Sequence, residues 1–156
     1  FVQNHFTYVT DWSNWPEEDY RAVQVVDILI TENKKLRLIN YRGIWTQHKQ
    51  GNDLTLKACK TIERLALEVD YPVIISGDFN LFPNTPSVKL FENNFINLPN
   101  KYNIKTTRPS SNELSGKGRN VVDYIFVSKN IKVNKFEVIK SNVSDHLPLM
   151  LDFDLS

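Results

Sequence analysis

Three short segments carry the residue types that could do chemistry: Ser76-Gly77-Asp78-Phe79-Asn80, Val122-Asp123-Tyr124-Ile125-Phe126-Val127-Ser128 and Ser144-Asp145-His146-Leu147-Pro148-Leu149. Each puts an acid, an amide or a histidine at the end of an apolar run. Side chains at strand ends can point into a common crevice instead of the core. Acids, an amide and a histidine gathered in one crevice are the material of a metal-assisted phosphoryl-transfer site.

Asp123 is the hardest of these to read as decoration. It follows Val121-Val122 and precedes Tyr124-Ile125-Phe126-Val127, so it lies within a strand, where a carboxylate is costly unless paired. His146 is the economical partner, because a carboxylate that accepts one ring N–H fixes the tautomer and raises the basicity of the other nitrogen. Gly77 allows a sharp exit from a strand, and Asp78 and Asn80, two apart, can face one side of that exit. Taken alone, each of the other two motifs also has a plainer reading: Asp78 to Asn80 as an Asx turn, and Asp145-His146 as a turn that happens to hold a histidine.

The elements that must position these groups are legible from periodicity. Val23 to Ile30 and Leu36 to Tyr41 read as two strands joined by a polar turn. Gly51-Asn52-Asp53 offers a helix N-cap, and Ala58, Ile62, Leu65, Ala66 and Val69 recur at helical spacing, predicting a helix over 53–69. Tyr71-Pro72 ends it and launches the strand that leads into Gly77-Asp78. A short helix is expected over 87–93, after Pro86. Residues 99–120, rich in Asn, Ser, Lys and Gly, read as a long surface loop. Strands are expected over 121–128, 131–139 and 147–153. Phe6-Thr7-Tyr8-Val9 already reads as strand, so the chain is expected to begin inside a fold. The mixture, without repeats, predicts an α/β or α+β sandwich and a single domain over residues 1–156.

Composition narrows the classes. The chain has 156 residues and a formal net charge of +1, so no global basic field announces nucleic-acid binding and any phosphate specificity must be local. The one cysteine, Cys59, excludes an intrachain disulfide framework and a cysteine-rich zinc site. No run approaches the roughly 20 apolar residues of a membrane span, and no leader pattern opens the chain, so a soluble protein is expected, with its compartment open.

The order GDFN, VDYIFVS, SDHLPL, with the Arg21-to-Ile30 strand and the Asn40-Tyr41 strand end upstream, resembles the carboxyl-terminal part of the endonuclease/exonuclease/phosphatase superfamily, the DNase I-like group. The resemblance implies a four-layer sandwich, here incomplete at the amino terminus. It also implies nuclease-like hydrolysis of phosphodiesters or phosphomonoesters assisted by Mg²⁺, with Mn²⁺ as the alternative ion. Asp78 resembles the aspartate that orients or deprotonates the attacking water. Asn80 resembles the neighbour that contacts the phosphate. His146 resembles the histidine at the scissile phosphate, Asp123 the acid that orients it, and Asp145 the metal-associated acid.

Two departures stand out. The family takes an Asn and a metal-binding Glu from strands upstream of anything in this chain, and Arg42 stands where many relatives place a histidine. Arg42 could grip a phosphate bidentately or be a surface arginine at a strand end. The competing expectation is therefore an inactive module of the same fold that binds phosphate or a partner. The expected partners are a phosphoester substrate, nucleic acid among the candidates, and a second copy of the chain if sheet edges are left bare. His48 is expected to be solvated, and Trp12, Trp15 and Trp45 to be packed aromatics or stacking surfaces. Lys101, Lys105, Arg108, Lys117 and Arg119 make the long loop basic, either toward an anionic substrate or as a solvated face.

Overall fold

The computed structural model describes residues 2–8, 22–109 and 120–155. Trp12, Trp15, Arg21, Lys117 and Arg119 lie outside them. Six strands form the main sheet: β1 (Val2–Tyr8), β2 (Ala22–Thr31), β3 (Lys34–Arg42), β4 (Val73–Asp78), β5 (Phe95–Asn97) and β6 (Asp123–Ser128), in the order β1-β2-β3-β4-β6-β5. β7 (Ile131–Val138) and β8 (Leu149–Leu155) pair in a second, two-stranded sheet. The helix α1 (Asp53–Leu67) crosses between β3 and β4, which run parallel.

The apolar runs look continuous because the main sheet is covered on both faces. Along β6, Tyr124 and Phe126 join the core under α1 with Ile75, Ile62 and Ala58, while Ile125 and Val127 join Ile74, Ile131 and Phe136 under the small sheet. Helix, large sheet and small sheet are thus three stacked layers of a mixed α/β sandwich. The expected fourth layer is not among the described residues.

α1 begins where the sequence placed it. Asn52 accepts from Thr55 N, and the Thr55 hydroxyl accepts in turn from Asn52 N, a reciprocal cap worth about 1 kcal/mol. The expected helix after Pro86 is a single α turn, α2 (Pro86–Lys89), tightening into a 3₁₀ turn at Leu90–Asn93.

The expectation of one long surface loop over 99–120 is corrected. Leu98–Lys101 forms a short helix, α3, and Thr106 and Asn120 bridge in parallel. Thr107, Arg108 and Asn120 are buried, and the stretch is tied to the start of β6 through the Thr107 hydroxyl, which accepts from Val122 N and Asp123 N, and to the β7–β8 loop through Arg108 and Asp145.

Candidate active site

Register alone assembles the first row of polar groups. Arg42 pairs with Asp78 across the parallel β3–β4 ladder, and Asp78 pairs with Asp123 across the antiparallel β4–β6 ladder. An arginine and two aspartates therefore stand side by side on three adjacent strands at one end of the sheet. Gly77, at φ +140°, is the last turn of backbone before this row, and a Cβ there would overlap the Tyr41 carbonyl oxygen.

Phe79 rivets the exit of β4. Its ring is wholly buried among Tyr41, Phe91, Tyr124 and Phe126, at centroid distances of 5.3–5.7 Å and edge-to-face angles. With Phe79 pinned inward, the flanking Asp78 and Asn80 turn toward each other. Asn80 adopts φ +54°, its N donates to Asp78 Oδ1 at 3.0 Å and its Nδ2 to Asp78 Oδ2 at 3.1 Å. The plain Asx turn and the site pair are thus one structure.

His146 arrives on the loop between β7 and β8, which Thr107 holds in place by accepting from Leu147 N at 2.8 Å. Its Nδ1 lies 2.7 Å from Asp123 Oδ1, and its Nε2 lies 3.8 Å from Asp78 Oδ2 and 3.9 Å from Asp145 Oδ2. An ionised Asp123 only accepts, so Nδ1 carries the hydrogen and Nε2 is left facing the crevice. The Thr107 hydroxyl donates to Asp123 Oδ2 at 2.6 Å. Burial pushes the Asp123 carboxyl above the usual range, and the Thr107 bond and His146 pull it back. The crevice, about 480 Å³, is lined by Asn40, Tyr41, Arg42, Asp78, Asp123, Ser144, Asp145 and His146.

Three further residues complete the surroundings, and no motif pointed to their part in them. Lys49, 6% exposed, donates through Nζ to Asn80 Oδ1 at 2.9 Å. Because an ammonium only donates, this bond fixes which way the Asn80 amide faces and turns Nδ2 onto Asp78. Burial lowers the Lys49 pKa, with Arg108 adding to the effect against the pull of Asp78 and Asp123. Both His48 and Lys49 have positive φ, at 61° and 54°, so strained backbone delivers that amine. Arg108, read from sequence only as part of a basic loop, is buried and donates to Asp145 Oδ2 at 2.9 Å and to Asp145 O at 3.1 Å. Thr107 is the third. Polar residues in a loop without periodicity give no signal of this kind. Lys101, Lys105 and His48 are exposed, as a solvated face requires.

Among the described residues, the carboxylates of Asp78 and Asp123 and the imidazole of His146 have ligand atoms within 4.8 Å of one another, a set that could hold a metal ion. The hydrogen bonds qualify that set. Both Asp123 oxygens are already engaged, by His146 and Thr107, whereas His146 Nε2 and the largely exposed Asp145 carboxylate look outward.

The sequence profile described as "Endonuclease/Exonuclease/phosphatase family" matches residues 52–146. No curated protein is significantly similar to the chain. Solved structures with the same fold include the endonuclease/exonuclease/phosphatase from Bacteroides vulgatus, at TM-score 0.75 and 15% identity, covering 99% of this chain and 65% of that one. The mannosyl-6-phosphatase of Bacteroides thetaiotaomicron superimposes at 0.73 with 17% identity, covering 97% of this chain and 66% of that one. The human Nocturnin catalytic domain with bound sulfate superimposes at 0.67 with 15% identity, covering 99% of this chain and 59% of that one. The chain thus spans about two thirds of the length of these proteins or less. Its three motifs, the sandwich they close and the profile match across more than half its length make the chain a member of the endonuclease/exonuclease/phosphatase family.

Proposed function

We propose that the crevice hydrolyses a phosphoester with the help of a divalent cation. The observation that carries the reading is the relay of His146 between two acids, with Nδ1 bonded to Asp123 and Nε2 turned toward Asp78 beside Arg42. A histidine held this way presents one nitrogen of known protonation to a group in the crevice and is stabilised when it becomes cationic.

Asp78, tied to Asn80, orients and deprotonates the attacking water. Arg42 holds the phosphate. Asn80, whose amide is engaged by Lys49, Asp78 and Gly43, acts by fixing Asp78 instead of gripping the phosphate as expected from the sequence. His146 touches the scissile phosphate and stabilises its developing charge. Asp123 positions His146. The donor set fits a hard cation through carboxylate oxygens, with Asp145 as its ligand in this chain. Mg²⁺ suits so sparse a set because it keeps several waters, and Mn²⁺ tolerates an imidazole as well. Bound there, the ion supplies charge neutralisation on the phosphoryl oxygens. We read residues 1–156 as one domain, and the outer edge of β1, which pairs with no further strand among the described residues, as a place for another chain.

One observation favours the second reading, a module that binds phosphate without turnover. The Asp145 carboxylate already answers Arg108, and Arg42 cannot act as a neutral hydrogen-bond partner. Hydrolysis of a generic phosphodiester and phosphomonoester by the full-length protein, with Mg²⁺ or Mn²⁺ and then chelator, separates the two. Chelator-sensitive turnover supports the enzyme. Phosphate binding without turnover supports the module.

A further inference from the structure

The connection from β3 to α1 and the segment that follows β4 are joined at Lys49. Its backbone N donates to Thr46 O at 3.1 Å, its backbone O accepts from Phe82 N at 3.0 Å, and its Nζ donates to Asn80 Oδ1 at 2.9 Å. Lys49 therefore grips the exit of β4 twice, by backbone at Phe82 and by side chain at Asn80. The Asn80 amide is engaged at its other end as well, where Nδ2 donates to Asp78 Oδ2 at 3.1 Å and to Gly43 O at 3.2 Å. An ammonium, an amide and a carboxylate thus stand in series, and only the carboxylate lines the crevice. Lys49 is 6% exposed, and among the described residues its Nζ makes no ion pair; its charge is answered by a neutral oxygen. That arrangement is costly, and a methionine of similar reach would fill the space without the cost. What the charge adds is at the far end of the series: a hydrogen bond accepted from a cation polarises the amide and makes Nδ2 a stronger donor to Asp78.

We propose that Lys49 is a positioning residue for phosphoester hydrolysis, acting through Asn80 to hold the Asp78 carboxylate in the orientation from which it takes the proton of the attacking water. The proposal rests on the phosphoester reading above and deepens it. Lys49 touches neither water nor phosphate; it fixes the amide that fixes the acid. Removing it leaves Asn80 Oδ1 buried without its partner and frees the amide to turn, so that Nδ2 no longer pins Asp78 Oδ2. The effect falls on the chemical step, because a small misplacement of a catalytic group costs rate while the groups that bind the phosphate are untouched.

The test is a double-mutant cycle on the full-length protein, with wild type, Lys49→Met, Asn80→Ala and the double variant assayed on bis-p-nitrophenyl phosphate with Mg²⁺ and checked by thermal melting. Hydrogen exchange of the Asn80 side-chain amide, read by NMR in wild type and Lys49→Met, accompanies it. Lys49→Met should lower kcat per folded molecule about tenfold and leave KM within about twofold. In the Asn80→Ala background the same substitution should cost less than about twofold, because the amide through which Lys49 acts is gone. The Asn80 amide protons should exchange at least about tenfold faster in Lys49→Met, in a protein that melts close to wild type. Unchanged kcat in Lys49→Met would overturn the proposal, as would an equal loss in both backgrounds or a loss carried by KM alone. Unchanged amide exchange would overturn it too, since Lys49 would then not be what holds Asn80. A wild type without chelator-sensitive turnover overturns the phosphoester reading itself, and the exchange rates then decide separately whether Lys49 sets the amide.

Discussion

The main sheet holds a buried charged pair at each end, and the two are built differently. At the end where β4 begins, Arg37 meets Asp27 with both forks, Nε to Oδ1 and Nη2 to Oδ2, each at 2.7 Å. Its remaining Nη1 donates to Leu65 O at 2.8 Å, its backbone N donates to Pro72 O, and Tyr71 lies under the guanidinium. Every direction is answered within the protein. At the other end, Asp123 is answered by His146 and Thr107, but His146 Nε2 and Arg42 line an open crevice, and Asp145, bonded to Arg108 through one carboxylate oxygen, stays largely exposed beside them. A buried ion pair that closes on itself stabilises or specifies the fold, whereas one that leaves a donor or acceptor facing a cavity is equipped to act on something else.

The sharpest way to break this comparison is to remove one partner at each end. Arg37→Met removes the charge that answers Asp27 and should cost about 3–5 kcal/mol of stability, read by denaturant unfolding, while phosphate binding per folded molecule stays as it was. A loss of binding without a loss of stability would place Arg37 in the site and dissolve the contrast.

Asp123→Asn should do the reverse. Catalysis should fall about 10–100-fold because the amide cannot stabilise a cationic His146, and stability at neutral pH should be little changed. Burial raises the folded pKa of Asp123 above its unfolded value. The native state then holds this proton more tightly, so the stability contributed by Asp123 is complete below the unfolded pKa and is lost as pH rises through the folded one. Relative to the variant, the wild type should gain stability in acid. Unchanged turnover would remove Asp123 from the site.

The smallest effect is expected at Lys49→Met. Relief of a buried charge and loss of the bond to Asn80 oppose each other, so stability at neutral pH should shift by less than about 1 kcal/mol. The signature lies in the pH profile. The folded pKa of Lys49 lies below its ordinary value of 10.5, so wild-type stability should rise against the variant as pH climbs through the folded pKa toward 10.5. Parallel profiles would contradict a buried ammonium there.

Much of this was open to reading in the chain. The hairpin, the capped α1 and the strand into Gly77-Asp78 follow from periodicity and turn chemistry, and the Asp123–His146 pair follows from the cost of a carboxylate inside an apolar strand. Lys49, Thr107, Arg108 and Asn120 were opaque for a physical reason. They are polar residues of irregular segments, whose sequence signature is that of solvated loops, and their burial depends on contacts with residues distant in the chain. The left-handed backbone at His48 and Lys49 carries no glycine to announce it.

The most direct test of the central claim is metal-dependent hydrolysis of a generic phosphodiester by the full-length protein, run beside Asp78→Ala and His146→Ala. Turnover that chelator abolishes and that both substitutions reduce by at least about 10²-fold is the predicted result. Turnover that survives both substitutions would contradict it.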